Sequence, residues 1–247
     1  MIMQCDVLTL FPDLVDGVAA QSILGRAQES GLVKIRAHDI RDYIDGRHRI
    51  ADSAPYGGGS GMVMKAEPIF RAIDALQTEG QELRLLFPSP QGIPFSHQLA
   101  VDFSRESKRL VFICGHYEGI DERVLTRLEF EEISIGDYVL TGGELPTMVM
   151  IDAAARLIPG VVGDPASVEE DSFAEVLLDY PHFTRPEGVR GYGVPEVLLS
   201  GNHAAIRLWR RKEALRNTYW KRPDVLRDEG LTEEDRKLLI EISQECE

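Results

Sequence analysis

The sequence predicts an α/β fold on a mostly parallel sheet, followed by a small all-helical C-terminal domain. Three observations carry this. Short apolar runs alternate with amphipathic stretches through the first 160 residues. From Gly160 to about Tyr180 the chain has few apolar residues and little periodicity. Beyond that the spacing of apolar positions is helical.

The elements follow in order. Strand-like runs lie at 3–10, 32–37, 83–87, 109–114 and 131–135, with helical patterns near 19–29, 66–78, 95–104, 121–129 and 146–158. Pro146 falls in the first turn of the last of these, where its missing N–H is not needed. Asn202 is placed to cap a basic helix, Pro223 interrupts it, and Thr232–Glu234 can start a final one. This divides the chain into an α/β domain over 1–160, a linker over 161–180 and a helical domain over 181–247.

Composition narrows the class. A chain of 247 residues, 43% hydrophobic and 28% charged, suits a protein with a real core. No apolar run approaches the roughly 18 residues of a membrane span. The start, "MIMQCDVLTLFPD", lacks basic residues before its apolar part and reads as a strand rather than a signal peptide. Cys5, Cys114 and Cys246 form no C-x-x-C pair, which argues against a zinc site or disulfide framework and for a reducing cytoplasm.

A net charge of −14 opposes nonspecific nucleic-acid binding, but the charge is segregated. His203–Arg222 holds seven Lys/Arg and one acid, while 157–184 holds six acids and no Lys or Arg. Such segregation can serve a polyanion that touches part of the surface. In an open α/β sheet ligands bind beyond the carboxyl ends of the strands. Three glycine-bearing loops stand there: "PSPQG" (88–92), "CGHYEGIDERV" (114–124) and "SIGDYVLTGGELP" (134–146). Alone, each reads as an ordinary βα turn; together they can form a pocket of bare backbone for an adenine and ribose. Neither G-x-G-x-x-G nor a Walker A sequence occurs, there is no H-E-x-x-H or G-x-S-x-G, and Cys114 has no evident base.

With "PYGGGSGM", "EDSFAEVLLDYPHFTRP" and "VLLSGNHAAIRLWR" added, these motifs stand in one order along the chain. Their set resembles the bacterial tRNA (guanine-N1)-methyltransferases of the trefoil-knotted SPOUT superfamily, from about Met3 to Leu239. The resemblance implies a knot, a homodimer with shared active sites, S-adenosylmethionine as methyl donor, Mg²⁺ as a candidate ion, and the anticodon branch of tRNA as partner. By motif it assigns the cofactor pocket to Pro90, Gly115, Tyr117, Glu118, Ile135, Gly136, Tyr138, Leu140, Gly142, Gly143 and Pro146. It assigns catalysis to Asp171, as base for the guanine N1 proton, and Arg156, as donor toward O6. It assigns tRNA binding to Asp179, His203, Arg207, Arg210 and Arg211.

Read without the resemblance, Asp171 is a solvated linker acid, with no cation in the sequence near it, and Arg156 a charge at a helix end. At about 100° per residue Leu208, Leu215 and Tyr219 share a face of the basic helix, with the arginines beside it. Two positions depart from the family pattern. Ser60 replaces a common proline, which should loosen its loop. His116 stands where arginine is common, and a neutral imidazole would weaken any phosphate or base contact there. The alternatives are a SPOUT methyltransferase acting at another RNA position and a non-catalytic RNA-binding module.

Overall fold

The computed structural model describes residues 2–164, 171–174, 177–226 and 230–245. Two compact units emerge, Met1–Gly163 and Asp164–Glu247.

The first unit is built on five parallel strands in the order β2-β1-β6-β5-β7. They are β1 (Met3–Thr9), β2 (Val33–Asp39), β5 (Leu83–Pro94), β6 (Arg109–Ile113) and β7 (Phe130–Ser134). A short antiparallel pair, β3 (Asp52–Ser53) with β4 (Val63–Met64), flanks the "PYGGGSGM" loop. Helices cover both faces of the sheet: α1 (Pro12–Ala19), α2 (Ser22–Glu29), α4 (His97–Ser104) and α6 (Glu144–Ala155) on one, α3 (Ala66–Gln77) and α5 (Glu122–Arg127) on the other. The period of two sorts the strands between these layers. Met3, Cys5, Val7, Leu110 and Phe112 pack under α1, α2, α4 and α6; Leu8, Val111 and Ile113 pack under α3 and α5.

Two elements differ from the sequence reading. Helix begins at Pro12 and breaks before Ser22, whose φ is +51°, so the pattern near 19–29 is the second half of a helix pair. "PSPQG" is not a simple βα turn. β5 pairs with β7 up to Pro88↔Ile133, bulges, and resumes at Ile93↔Ile133 and Pro94↔Ser134. Gly92 permits this crossing, since a Cβ there would lie 2.2 Å from the Ile133 amide nitrogen.

The second unit is helical apart from a small hairpin, β8 (Gly188–Val189) with β9 (Tyr192–Gly193). Its helices are α7 (Glu196–Leu199), α8 (His203–Lys221) and α9 (Glu233–Gln244). Asn202 caps α8 by accepting from the Ala205 amide, and Thr232 and Asp235 form a capping box on α9. Leu177, Ala214, Leu215, Leu231, Leu238 and Ile242 make the core, each fully buried aliphatic contributing about 1.5–3 kcal/mol. The buried seam of α8 is Ala214, Leu215 and Thr218; Leu208, expected on that face, is 45% exposed. Part of the expected linker is packed here: the Leu178 amide donates to Thr218 Oγ1 at 2.8 Å, and Leu177 is buried.

Candidate active site

The bulge of β5 and the loops leaving β6 and β7 enclose a cleft of about 470 Å³, within the usual range for a small-molecule site. Pro90, Gly115, Tyr117, Glu118, Ile135, Gly136, Tyr138, Leu140, Gly142, Gly143 and Pro146 all line it. So do Gln91, His116, Glu122, Glu132 and Ser134, to which the sequence assigned no role.

The loops are held by short-range bonds. Ser134 Oγ accepts from the Gly136 amide at 3.2 Å and donates to the Gly136 carbonyl at 3.1 Å, pinning the turn out of β7. Gly136 has φ +149°, and a Cβ there would meet the Tyr138 ring at 2.5 Å. Tyr117 takes a left-handed φ of +61°, a strained state for a tyrosine, and the residue is 54% exposed. The Gly143 amide donates to the Gly115 carbonyl at 3.0 Å, joining the second and third loops. A Cβ at Gly143 would lie 2.7 Å from Cys114 Cα, so the two backbones pass as closely as glycine allows. The "PYGGGSGM" loop is open at its tip but anchored at its end. The Glu118 amide donates to the Met62 carbonyl at 3.0 Å, and the Glu118 side chain occupies the space a Cβ on Gly61 would need.

The charge of the lining selects among ligands. Glu118, Glu122 and Glu132 face the cleft, and among the described residues no Lys or Arg lines it. That wall disfavours a nucleoside phosphate and suits a ligand bearing positive charge. S-adenosylmethionine, with its sulfonium and ammonium groups beside an adenosine, fits this donor set and volume. Burial, reinforced by the Glu144 charge, pushes the Cys114 thiol far above its ordinary range, so it is no nucleophile.

His116 does not face outward. Its Nε2 stands 2.7 Å from Glu144 Oε2, and its ring packs on Phe11 with centroids 4.7 Å apart. Glu144 is 2% exposed and also accepts from Thr9 Oγ1 at 2.5 Å. The only sequence signal for this pair was an acid directly after two glycines at a helix start.

Arg156 is the residue ending α6 in the first unit, half-buried. Asp171 lies in the second unit and lines a cleft of about 570 Å³ with Arg207, Arg210 and Arg211, so the cations missing from its sequence neighbourhood come from α8. The arginines have partners of their own. Arg211 binds Asp235 at 2.8 and 3.0 Å, and Arg210 stacks over the Tyr180 ring at 4.8 Å. Asp179 organises its own segment: its carboxylate accepts from the Tyr180 amide at 2.7 Å and meets His182 Nε2 at 2.8 Å. His203 opens α8 and is exposed. A further cleft in this unit is lined by Tyr180, His182, Phe183, Arg185, Trp209 and Arg210 among others. Among the described residues no group of three or more His, Cys, Asp or Glu could hold a metal ion, and no helix is long and apolar enough to cross a membrane.

A parallel α/β unit with a glycine-walled, acid-lined cleft at its strand ends, followed by a helical unit that carries the basic helix α8, is the arrangement of a protein with room for a nucleoside-like, cationic small molecule. A sequence model of the family described as tRNA (Guanine-1)-methyltransferase TrmD matches residues 3–228. The tRNA (guanine-N(1)-)-methyltransferase of Desulforamulus reducens is 53% identical over 97% of this chain and 95% of its own length. That of Pelotomaculum thermopropionicum is 54% identical over 97% and 96%, and that of Dictyoglomus turgidum 51% identical over 99% and 98%. The chain belongs to the tRNA (guanine-1)-methyltransferase family.

Proposed function

We propose that this protein methylates N1 of the guanosine immediately 3′ of the tRNA anticodon, using S-adenosylmethionine held in the cleft of the first unit. Family membership supports the reaction. The single structural observation that carries it is the acid-bearing, glycine-backed lining of that cleft, without Lys or Arg among the described residues. S-adenosylmethionine supplies an electrophilic methyl group there.

The chain's own residues do the rest. Backbone groups of Gly115, Ile135, Gly136, Leu140, Gly142 and Gly143 take the adenine edge, with Pro90 and Pro146 bounding it. Tyr117 and Tyr138 supply ring surface, and Glu118 offers its carboxylate to the cationic end. Asp171 accepts the proton from guanine N1, and Arg156 donates to the oxygen on which negative charge grows. The close passage of 142–143 against 114–116 supports a knotted path for this segment.

The shared-site homodimer is part of the same reading. Phe11, Leu14 and Val18 around α1, and Leu145 and Val149 on α6, leave apolar side chains 39–51% exposed on two helices that touch each other. Such a surface suits self-association by a two-fold axis. The anticodon branch would be met by the second unit, whose aromatic and basic cleft suits unpaired nucleotides. Those arginines in ion pairs serve packing first. Buried, unpaired Cys5 and Cys114 agree with a cytoplasmic site of action.

Purified protein, labelled S-adenosylmethionine and tRNA transcripts test the proposal. Label should appear as 1-methylguanosine next to the anticodon and vanish when that guanosine is replaced. Methyl at another position selects a different RNA target; no transfer with tight tRNA binding selects a non-catalytic module. Repeating the assay with a chelator tests the Mg²⁺ expectation.

A further inference from the structure

We propose that Thr9, His116 and Glu144 form a clamp that fixes the back of the cofactor cleft, making His116 and Glu144 positioning residues for S-adenosylmethionine. The proposal rests on the cofactor reading above and assigns residues which that reading leaves without a task.

Three segments distant in sequence meet at one buried carboxylate. Glu144 is the first residue of α6, directly after the third loop. Its Oε1 accepts from Thr9 Oγ1, at the end of β1, and its Oε2 from His116 Nε2, in the second loop. Thr9 is fully buried and its hydroxyl oxygen also accepts from the Phe11 amide at 2.8 Å. A carboxylate accepts only, so both partners must donate, which places the proton of His116 on Nε2. Ion pairing and hydrogen bonding are what make a buried carboxylate tolerable, and for Glu144 they come from His116 and Thr9.

The backbone around the clamp has no slack. His116 and Gly142 form a bridge, and the Gly143 amide reaches the Gly115 carbonyl. A Cβ on Gly142 would stand 2.2 Å from His116 Nε2 and 2.6 Å from Glu144 Oε2. Glycine at 142 is therefore what lets the pair close over the loop. The His116 amide points at Met64 Sδ, 3.2 Å away, and the Cys114 amide donates to the Leu8 carbonyl, so the second loop is tied on both sides. Releasing His116 leaves a buried carboxylate short of a donor, and the cheapest response is for the start of α6 and the third loop to move. Gly142, Gly143 and Pro146 move with them, and these line the cleft. The cost falls on cofactor binding rather than on the chemical step.

The test uses the full-length protein and S-adenosylhomocysteine binding by calorimetry, with steady-state methylation beside it. His116→Leu keeps bulk without a donor; His116→Gln places an amide donor near the Nε2 position. His116→Leu should raise the dissociation constant and the KM for S-adenosylmethionine about ten-fold or more, an effect on the scale of one lost buried hydrogen bond. Its kcat at saturating cofactor should stay within about three-fold, and His116→Gln should recover most of the affinity. Wild-type affinity in His116→Leu overturns the clamp, as does a His116→Gln protein no better than His116→Leu. If His116→Leu does not fold, Gly142→Ala forces the same pair apart, and normal affinity in that folded variant overturns the clamp as well. A wild-type protein that binds no S-adenosylhomocysteine overturns the cofactor reading itself, and the clamp with it.

Discussion

Asp235→Asn should destabilise the second unit by about 2–3 kcal/mol at neutral pH. Asp235 is 2% exposed and accepts two hydrogen bonds from the Arg211 guanidinium at 2.8 and 3.0 Å, and one from the Thr232 amide at 2.9 Å. The Arg211 guanidinium, ahead of the Thr232 bonds, holds its carboxyl down from 3.8 to about 2 against the opposing effect of burial. That difference is worth on the order of 2.5 kcal/mol by linkage. A depressed carboxyl stabilises the fold above its unfolded pKa and loses that contribution as the pH falls through the folded value. The wild-type advantage over Asp235→Asn should therefore be full above about pH 5 and shrink to near zero around pH 2. The assay is urea unfolding followed by tryptophan fluorescence at several pH values. Trp209 and Trp220 are the only tryptophans of the chain, and both lie in the second unit. A difference below about 0.5 kcal/mol at pH 7, or one that does not change with pH, would refute the reasoning. The consequence reaches function: Arg211→Gln should lower stability along with any loss of tRNA affinity, so Arg211 alone cannot report an RNA contact.

Asp171→Asn should leave S-adenosylhomocysteine affinity within a few-fold while methyl transfer drops by about 10²-fold or more; wild-type turnover ends its role as base. Mixing Asp171→Ala subunits with Gly142→Trp subunits, each inactive alone, should restore about a quarter of wild-type activity after re-pairing. No recovery, with mixed dimers confirmed by two tags, would place Asp171 at its own subunit's cofactor. Phe183 is 47% exposed and packs on Trp209 with centroids 6.3 Å apart. Phe183→Ala should weaken tRNA binding about 5- to 100-fold if it stacks on one base, with cofactor affinity unchanged; unaltered filter binding would remove this cleft from the RNA surface.

Local pattern alone was enough for much of the molecule. The alternation in "CDVL" and "RLVFI" places Cys5, Val7, Leu110 and Phe112 on one face of the sheet and Leu8, Val111 and Ile113 on the other. Asn202 and Thr232 announce their helices because a cap bonds an amide only three residues away. The glycine-bearing segments, too, are marked by motif, and they line one cleft. Each of these signals is short-range, set by the period of the backbone or by its immediate neighbours. What needed the tertiary structure were relations between residues far apart in the chain. Glu144 meets Thr9 across 135 positions, Arg211 meets Asp235 across 24, and Asp171 shares a cleft with arginines more than 30 positions away. The return of β5 at Ile93 depends on β7 lying beside it, and no periodicity within "PSPQG" records that neighbour. A side chain's type and local spacing determine which element it joins. Which charge it must satisfy, and so whether it serves a ligand or the fold, depends on which distant elements the tertiary fold brings beside it.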